Sequence, residues 1–264
     1  MKIAIIGTGN LGSAIAKGLI KNKAFTSLYL SDKNTHQVDV YKDTKNVTIT
    51  NNNSLAIEAA EVVIFALQPK IIATVIEELS SIITENHIVM SVAAGFEISA
   101  IERIVGTNKS VIRVMPNTAI SIGKSMTCLS GNANGEAKME VAKTIFNELG
   151  TTLEIPESQM QAATVICSSG IAFWMRLVRA TTQGAIQLGF EAEEADKIAL
   201  QTCLGAASLL QETDNHIEAE IDRVTTPGGC TIEGLNAMEA KGMSTALVQG
   251  ITASFEKLNQ LKKN

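Results

Sequence analysis

Basic clusters, aromatic side chains and paired cysteines are scarce in this chain of 264 residues. Its formal net charge is −5, with no run of lysine or arginine, which argues against nucleic acid or an anionic membrane surface as a partner. The four cysteines form no C-x-x-C pattern and the three histidines are isolated, so the spacing of a metal site is absent from the sequence. We therefore expect reduced thiols and no metal.

Two further absences predict a cytoplasmic protein. The N-terminus already has the pattern of a strand, which leaves no place for a signal peptide. The least polar long run, Thr164 to Phe190, contains Arg176 and Arg179 besides Gln and Thr, so a buried helix is favoured over a membrane span. We expect the two arginines to be buried partners of acids in the helical part of the chain.

The first stretch of the chain predicts a dinucleotide site. Ile3–Ile6 is an apolar run typical of a strand buried on both faces. Gly7, Gly9 and Gly12 follow with G-x-G-x-x-G spacing, and a helical pattern runs from Leu11 to Ile20. The first glycine allows a tight turn, the second lets the backbone approach a pyrophosphate, and the third lets helix and strand pack closely. The alternative is a glycine turn that binds nothing.

Asp32 stands where a carboxylate usually binds a ribose hydroxyl, after a second apolar run, Leu28–Leu30. A carboxylate there favours NAD, because it repels the 2′-phosphate of NADP. Ser31, Lys33 and Asn34 could hold that phosphate if Asp32 turned away. The residues alone leave the choice between the two dinucleotides open.

The first half of the chain alternates strand and helix patterns, which predicts a doubly wound parallel sheet. The predicted strands are Ile3–Ile6, Leu28–Leu30, Val47–Thr50, Val62–Leu67, Ile88–Ser91, Ser110–Val114, Met126–Leu129 and Thr152–Ile155. The predicted helices among them are Leu11–Ile20, Leu55–Ala60, Ile71–Ile83, Ile98–Val105 and Glu136–Leu149. Ligands bind at the carboxyl ends of such strands, so Leu67–Pro69, Val92–Gly95 and Met115–Asn117 are candidates, each equally compatible with an ordinary turn.

After Pro156 the sequence pattern is helical only. We therefore expect two domains, a dinucleotide-binding domain of residues 1–156 and a helical domain of residues 157–264. The predicted helices are Ser158–Leu188 as one helix or a broken pair, Ala192–Glu212, one opening at Thr231–Leu235, and Met243–Leu261. Helices that are apolar all round bury their faces. We expect this second domain to bury them against another subunit.

A second informative stretch, Thr225 to Ile232, separates two of these helical regions. Pro227 ends what precedes it, and Gly228 and Gly229 leave main-chain amides exposed. Such a group of N–H donors suits a carboxylate, and Thr231 adds a neutral hydroxyl. The alternative is an interhelical loop in which Thr231 caps the next helix.

The chain resembles the pyrroline-5-carboxylate reductase family nearly from end to end. The resemblance rests on Ile-Gly-Thr-Gly-Asn-Leu-Gly at 6–12, Ser-Val-Ala-Ala-Gly at 91–95, Ile-Arg-Val-Met-Pro-Asn-Thr at 112–118 and, most specifically, Val-Thr-Thr-Pro-Gly-Gly-Cys-Thr-Ile-Glu-Gly-Leu at 224–235. It implies an α/β protein: an N-terminal Rossmann-type doubly wound parallel sheet followed by an all-helical dimerisation domain. It further implies a homodimer, with dimers often forming larger rings, and hydride transfer from NADP, or NAD, to a cyclic imino acid as the last step of proline biosynthesis.

The resemblance also implies site residues. Thr231 falls on the threonine that hydrogen-bonds the ring nitrogen, Gly229 and Cys230 on the amides that hold the substrate carboxylate, and Thr226 on the hydroxyl of that loop. Glu157 falls on a substrate-facing acid. Arg223 falls beside the nicotinamide end. The candidate dinucleotide-binding residues, from the glycine loop, the strand ends and the resemblance together, are Ile6, Gly7, Thr8, Gly9, Asn10, Leu11, Gly12, Asp32, Lys33, Asn53, Ala66, Leu67, Gln68, Pro69, Val92, Ala93 and Ala94.

The chain departs from the family pattern at three places. Gln68 stands before Pro69 where the family usually has lysine, so one cation near the cofactor is missing. The Gly-Ser-Gly-Pro-Ala-Tyr-like motif appears as Ser-Ser-Gly-Ile-Ala-Phe at 168–173, without the proline and the tyrosine hydroxyl. His216 is followed by Ile217 instead of proline. These changes allow a shifted substrate or lower activity.

The imine chemistry needs little acid–base machinery, because a protonated imine is already electrophilic. That agrees with a chain in which His216 is the one candidate for a base, and a lone histidine at a helix end is more often structural. Two alternatives remain. A reductase of the deazaflavin-oxidising type has a similar N-terminus but lacks the 225–232 loop and so long a helical tail. A dinucleotide-binding module without catalysis is motivated by the changed 168–173 motif.

Overall fold

The computed structural model describes residues 1–263, which form eight strands and twelve α-helices. The strands are β1 (Lys2–Ile6), β2 (Ser27–Ser31), β3 (Val47–Thr50), β4 (Val62–Phe65), β5 (Ile88–Ser91), β6 (Ser110–Met115), β7 (Ser125–Gly131) and β8 (Gly150–Glu154). The helices are α1 (Asn10–Asn22), α2 (Asn53–Glu58), α3 (Pro69–Leu79), α4 (Ile98–Val105), α5 (Ala133–Glu136), α6 (Met139–Asn147), α7 (Met160–Ala163), α8 (Gly170–Gln187), α9 (Ala192–Gln211), α10 (Ile217–Arg223), α11 (Cys230–Ala240) and α12 (Met243–Lys263).

All eight predicted strands are present, in one sheet of order β3-β2-β1-β4-β5-β6-β7-β8. Strands β1 to β6 are parallel, but β7 is antiparallel to β6, and β8 pairs parallel with β7. The predicted doubly wound parallel sheet is thus confirmed, with one antiparallel pairing, β6 with β7, toward its edge. The link from Met115 to Ser125 holds only one short 3-10 turn, Thr118–Ile122, and a parallel crossover needs a dozen or more residues.

The apolar strands are buried on both faces, as the continuous apolar runs predict. In β1, Ile3 and Ile5 belong to a cluster on one face with Ile15 and Leu19 of α1. Their neighbours Ala4 and Ile6 belong to a second cluster, which the α3 and α4 side chains cover. Because β1 lies between β2 and β4, the chain order reverses at β1, and the crevice at the carboxyl end of β1 is where such sheets bind ligands.

The chain divides into two compact units, Met1–Ser169 with Lys257–Asn264, and Gly170–Glu256. The first unit holds the whole sheet and the segment after Pro156. That segment is a 3-10 turn at Glu157–Gln159, then α7, then a π-helical stretch at Thr164–Ser169. The domain boundary at residue 156, set from composition, stays a prediction.

The second unit is helical, and the described residues after β8 contain no strand, as expected. The predicted helix Ser158–Leu188 is found as the broken alternative, since the π-helical stretch interrupts it. The short helix α10 was not predicted. Several large apolar side chains on α8 and α9 are exposed in the single chain, among them Trp174 at 61% and Leu209 at 64%.

Arg176 and Arg179 are also exposed on α8, and neither forms an ion pair with another residue of 1–263. The predicted buried pairs of both arginines are therefore not formed within the described residues of the single chain. By length and composition, Glu157–Gln187 is apolar enough to cross a membrane. Composition therefore does not exclude a membrane span here, contrary to the prediction.

Candidate functional site

The turn between β1 and α1 contains three glycines under three different constraints. Gly7 has a φ of 98°, and a Cβ there would lie 2.6 Å from the Ala66 carbonyl oxygen. At Gly12 a Cβ would lie 1.9 Å from the Gly7 carbonyl oxygen, so any larger residue must displace the helix. At Gly9 nothing lies within 4 Å of the Cβ position. The loop is closed where it packs on the protein and open where a ligand would approach.

Asp32, at the end of β2, bonds to the main chain of this loop. The Thr8 amide donates to Asp32 Oδ2 at 2.6 Å, and the Asn34 amide donates to Oδ1 at 3.0 Å. Each carboxylate oxygen therefore already accepts a main-chain donor. Lys33 is exposed beside it, and the buried Ser31 hydroxyl donates to Asn53 Oδ1 at 2.6 Å.

The start of α1 fits a phosphate group. Its N-cap is Gly9, whose lack of a side chain leaves the first amides, those of Asn10 and Leu11, without a side-chain cap. The buried Thr8 Oγ1 has no hydrogen-bond partner among the described residues. An unpartnered buried hydroxyl and uncapped amides at one loop are what a dinucleotide pyrophosphate would satisfy.

A cleft of about 430 Å³ lies at the carboxyl ends of β4 and β5. It brings together residues that the sequence placed in separate turns, and its lining is Gln68, Pro69, Lys70, Ala94, Gly95, Gln161 and Leu258. Gln68 is the N-cap of α3 and Pro69 its first residue, so this helix also points its N-terminus toward the ligand edge of the sheet. Lys70 was not predicted. Its ammonium group places a positive charge in the cleft, two residues after Gln68, which stands where the family usually has lysine.

A second, smaller cavity of about 170 Å³ shares Gly95, Gln161 and Leu258 with that cleft and is lined besides by Glu97, Arg113, Glu157, Ser158 and Thr164. Glu157 Oε1 accepts from the Ile98 amide at 2.7 Å and from Arg113 Nη1 at 3.2 Å. Arg113 is buried, and its Nε has no partner within the described part of the chain. Glu157, predicted to face the substrate, is thus bonded to the protein on this oxygen.

A pair of thiols lies next to the π-helical stretch. Cys128 Sγ of β7 is 3.6 Å from Cys167 Sγ, and Asn117 Nδ2 donates to the Cys167 carbonyl at 2.9 Å. A hydrogen bond from the Cys128 thiol stabilises the Cys167 thiolate, which lowers the pKa of Cys167 to about 7. The same bond and burial raise the pKa of Cys128. The sequence analysis did not predict this pair, because the two cysteines are 39 positions apart.

In the second unit, the loop before α11 exposes main-chain donors. Gly228 has a φ of 67°, and the Gly229 amide donates to the Thr226 carbonyl at 3.0 Å. Gly229 is the N-cap of α11 and makes no side-chain cap bond, so the amides of Cys230 and Thr231 begin the helix uncapped. Thr231 lies inside the helix, so the alternative that it caps α11 is wrong. Its half-buried hydroxyl makes no hydrogen bond within residues 1–263.

Two predicted side chains of this unit have local partners. Arg223, expected beside the nicotinamide, bonds Glu220 through Nη1 at 3.0 and 3.1 Å and is largely exposed. The Glu220 pKa is lowered, first by the Asn215 side chain and also by Arg223. His216 Nδ1 accepts from the Glu218 amide at 3.2 Å and so caps α10. A structural role for His216 is therefore confirmed.

Family profiles cover both parts of the chain. Residues 157–261 match the profile "Pyrroline-5-carboxylate reductase dimerisation", and residues 2–95 match "NADP oxidoreductase coenzyme F420-dependent". The second match is to the dinucleotide domain that the deazaflavin-linked alternative also has. The first match discriminates against that alternative, because it covers the helical tail and the 225–232 loop.

Whole-chain relatives agree with these profiles. The chain is 37% identical over 272 residues to pyrroline-5-carboxylate reductase 2 of Dictyostelium discoideum, covering 97% of this chain and 91% of that one. It is 41% identical to pyrroline-5-carboxylate reductase 1 of the same organism over 98% of its own length, but spans only about half (49%) of that relative. The solved structure of a pyrroline-5-carboxylate reductase from Coxiella burnetii superimposes with a TM-score of 0.92, at 29% identity and 98% coverage of both chains.

Proposed function

Since this chain belongs to the pyrroline-5-carboxylate reductase family and is an oxidoreductase, we propose that it reduces 1-pyrroline-5-carboxylate to L-proline with a reduced nicotinamide dinucleotide. One observation carries the proposal in the structure. The uncapped start of α11 combines free main-chain amides with the unbonded Thr231 hydroxyl. That donor set suits a carboxylate next to a C=N bond and does not suit removal of an alcohol proton.

The first unit would hold the dinucleotide. The uncapped amides of Asn10 and Leu11 and the Thr8 hydroxyl would bind its pyrophosphate, with Gly9 giving room. When bound, the dinucleotide supplies the hydride. The adenosine ribose would lie toward β2 and the nicotinamide toward β4 and β5, because these strands flank β1 on opposite sides. Ala66, Leu67, Gln68, Pro69 and Val92 to Ala94 would then contact the nicotinamide half.

The second unit would hold the imino acid. The amides of Cys230 and Thr231, which begin α11 uncapped, would bind its carboxylate, and the Thr226 hydroxyl would add a further donor. The Gly229 amide, predicted for the same role, donates to the Thr226 carbonyl at 3.0 Å and would have to leave it to bind the substrate. Thr231 Oγ1 would hydrogen-bond the ring nitrogen and fix the orientation of the C=N bond. Since a protonated imine already carries its proton, this hydroxyl orients the ring without having to transfer a proton.

We propose NADPH as the preferred donor. Support comes from the NADP-dependent family profile and from Asp32, whose two carboxylate oxygens are bonded to the Thr8 and Asn34 amides. A carboxylate engaged in this way is turned into the loop, and exposed Lys33 is free to pair with a 2′-phosphate. The ratio of kcat/KM for NADPH to that for NADH tests this, and a ratio below one would contradict it.

The chain contains a dimerisation domain and forms a homo-oligomer, and we propose a homodimer that can assemble into a ring of dimers in the cytoplasm. The exposed side chains of Trp174, Leu204 and Leu209 are apolar surface that a second copy would cover. Trp174→Glu should shift the mass measured by sedimentation toward the monomer. A wild-type monomer at micromolar concentration would contradict the assembly.

Turnover tests the reaction. Purified protein should oxidise NADPH in the presence of pyrroline-5-carboxylate and release proline, and dinucleotide binding without turnover would favour the catalytically silent module. Thr231→Ala should lower kcat/KM by roughly tenfold to a hundredfold, the effect of one hydrogen bond to a charged group, with dinucleotide affinity unchanged. Thr231→Ser, which keeps the hydroxyl, is the matched control. Equal turnover of the alanine variant and wild type would remove Thr231 from this role.

A further inference from the structure

The ion pair of buried Arg113 and partly exposed Glu157 has no task in the reaction as described so far. Arg113 is 4% exposed and sits in β6 opposite Ser91, the last residue of β5. Its Nη1 lies 3.2 Å from Glu157 Oε1. The Glu157 side chain is 33% exposed, so water screens the pair on that side and its contribution to stability is modest.

The same carboxylate oxygen fixes the start of α4. Glu157 Oε1 accepts the Ile98 amide at 2.7 Å, and Ile98 is the first residue of that helix. Residues 92 to 97 alone separate the end of β5 from Ile98. The segment is therefore held at both ends: by the sheet at Ser91, beside Arg113, and by Glu157 at Ile98.

This segment borders both the small cavity next to Arg113 and the larger cleft next to Gln68. Gly95, with a φ of 74°, lines both the small cavity next to Arg113 and the larger cleft next to Gln68 and Pro69. Ala94 lines the larger cleft. Since β5 lies on the nicotinamide side of β1, a shift of this turn would move the surface on which the nicotinamide rests.

We propose that Arg113 and Glu157 are positioning residues, which clamp the Val92–Gly95 turn through the Ile98 amide and so set the distance over which the hydride moves. The inference rests on the proposed function. It gives Glu157 a task different from contact with the substrate: the carboxylate acts through the main chain of the turn, and Arg113 acts by holding the carboxylate. A misplacement of about 1 Å at such a surface can cost roughly a hundredfold in rate.

The test compares Glu157→Ala, which removes the acceptor for the Ile98 amide, with Glu157→Gln, which keeps an oxygen there. For the alanine variant we expect kcat to fall about tenfold and the primary isotope effect with 4-deuterated NADPH to change, with the KM for the imino acid within about twofold of wild type. The glutamine variant should keep most of kcat. If both variants raise that KM alike, Glu157 contacts the substrate and the clamp is refuted.

A control variant, a second test variant and a binding measurement make the outcome decisive. Lys197→Met breaks the exposed ion pair with Glu193 on α9 and should change none of these values. If Glu157→Ala does not fold, Arg113→Lys decides, because the shorter single-point donor should alter kcat and the isotope effect, and wild-type values for both would overturn the proposal. If the wild type itself shows no turnover, the proposed function fails, and the clamp is judged by the NADPH dissociation constant, which should rise about fivefold in Glu157→Ala.

Discussion

Alanine substitutions at Gly9 and Gly12 should separate dinucleotide binding from folding. At Gly12 the new methyl would lie 1.9 Å from the Gly7 carbonyl oxygen and 3.2 Å from Ala66 Cβ. Bringing the first contact to an ordinary 3.4 Å requires a displacement of about 1.5 Å between α1 and β1. At Gly9 the methyl meets no protein atom within 4 Å, and the φ of −64° suits alanine.

The expected magnitudes follow from these contacts. Forced overpacking costs about 3 kcal/mol at the upper end of its usual range, so Gly12→Ala should lower Tm by about 6–12 °C. Gly9→Ala should leave Tm within about 2 °C of wild type. Its methyl fills the space that a pyrophosphate would approach, so the NADPH dissociation constant should rise at least tenfold, or about 1.4 kcal/mol.

Thermal unfolding without ligand and NADPH titration, both at one protein concentration, measure the two effects. The reasoning requires both outcomes. Gly9→Ala must bind NADPH more weakly at an unchanged Tm, and Gly12→Ala must lose both NADPH affinity and thermal stability. Wild-type NADPH affinity in Gly9→Ala would refute the assignment of this loop to the pyrophosphate. A Tm loss in Gly9→Ala equal to that of Gly12→Ala would refute the view that Gly9 faces open space.

Other predictions concern residues outside this loop. Alkylation of Cys167, followed by peptide mass spectrometry, should rise with pH to a midpoint near 7, because the thiolate is the nucleophile. Cys128→Ala removes the donor, raises the pKa of Cys167 and should slow alkylation at pH 7 about threefold, while an unchanged profile would show that the two thiols are uncoupled. His216→Ala should cost about 1 kcal/mol of stability by removing the α10 cap and leave the pH dependence of kcat unchanged, and a lost pH limb would make His216 a base.

Local sequence patterns predicted most of the sheet because its strands are continuous apolar runs. The reversal at β7 had a signal too: the link after Met115 is too short for a parallel crossover. Helix α10 escaped prediction since Ile217–Arg223 is short and carries charges along its length, and its stability comes partly from the His216 cap. Within the π-helical stretch, the Cys167 carbonyl accepts a hydrogen bond from Asn117 Nδ2, a tertiary contact that no local pattern encodes.

Sequence patterns located the two loops whose main-chain amides we propose to bind ligands. Glycine spacing and consecutive small residues mark the loops at 7–12 and 225–232, because backbone conformation is written locally in the sequence. Side-chain partnerships were not predictable. Arg113 and Glu157 lie 44 positions apart, and Glu157 matched a family acid without any indication that its carboxylate bonds Ile98. Lys70 was missed because its relation to the cleft follows from the path of α3.

The bond between Asp32 and the Thr8 amide has a consequence for how tightly the loop can bind. Ordering a flexible loop on ligand capture consumes about 1–2 kcal/mol of entropy for each residue that becomes fixed. Here a carboxylate from β2 already immobilises the loop at its second residue, and tight packing immobilises Gly7 and Gly12. The ordering entropy of this loop is already lost on folding, so less of the binding free energy of a ligand at the loop is offset when the ligand binds.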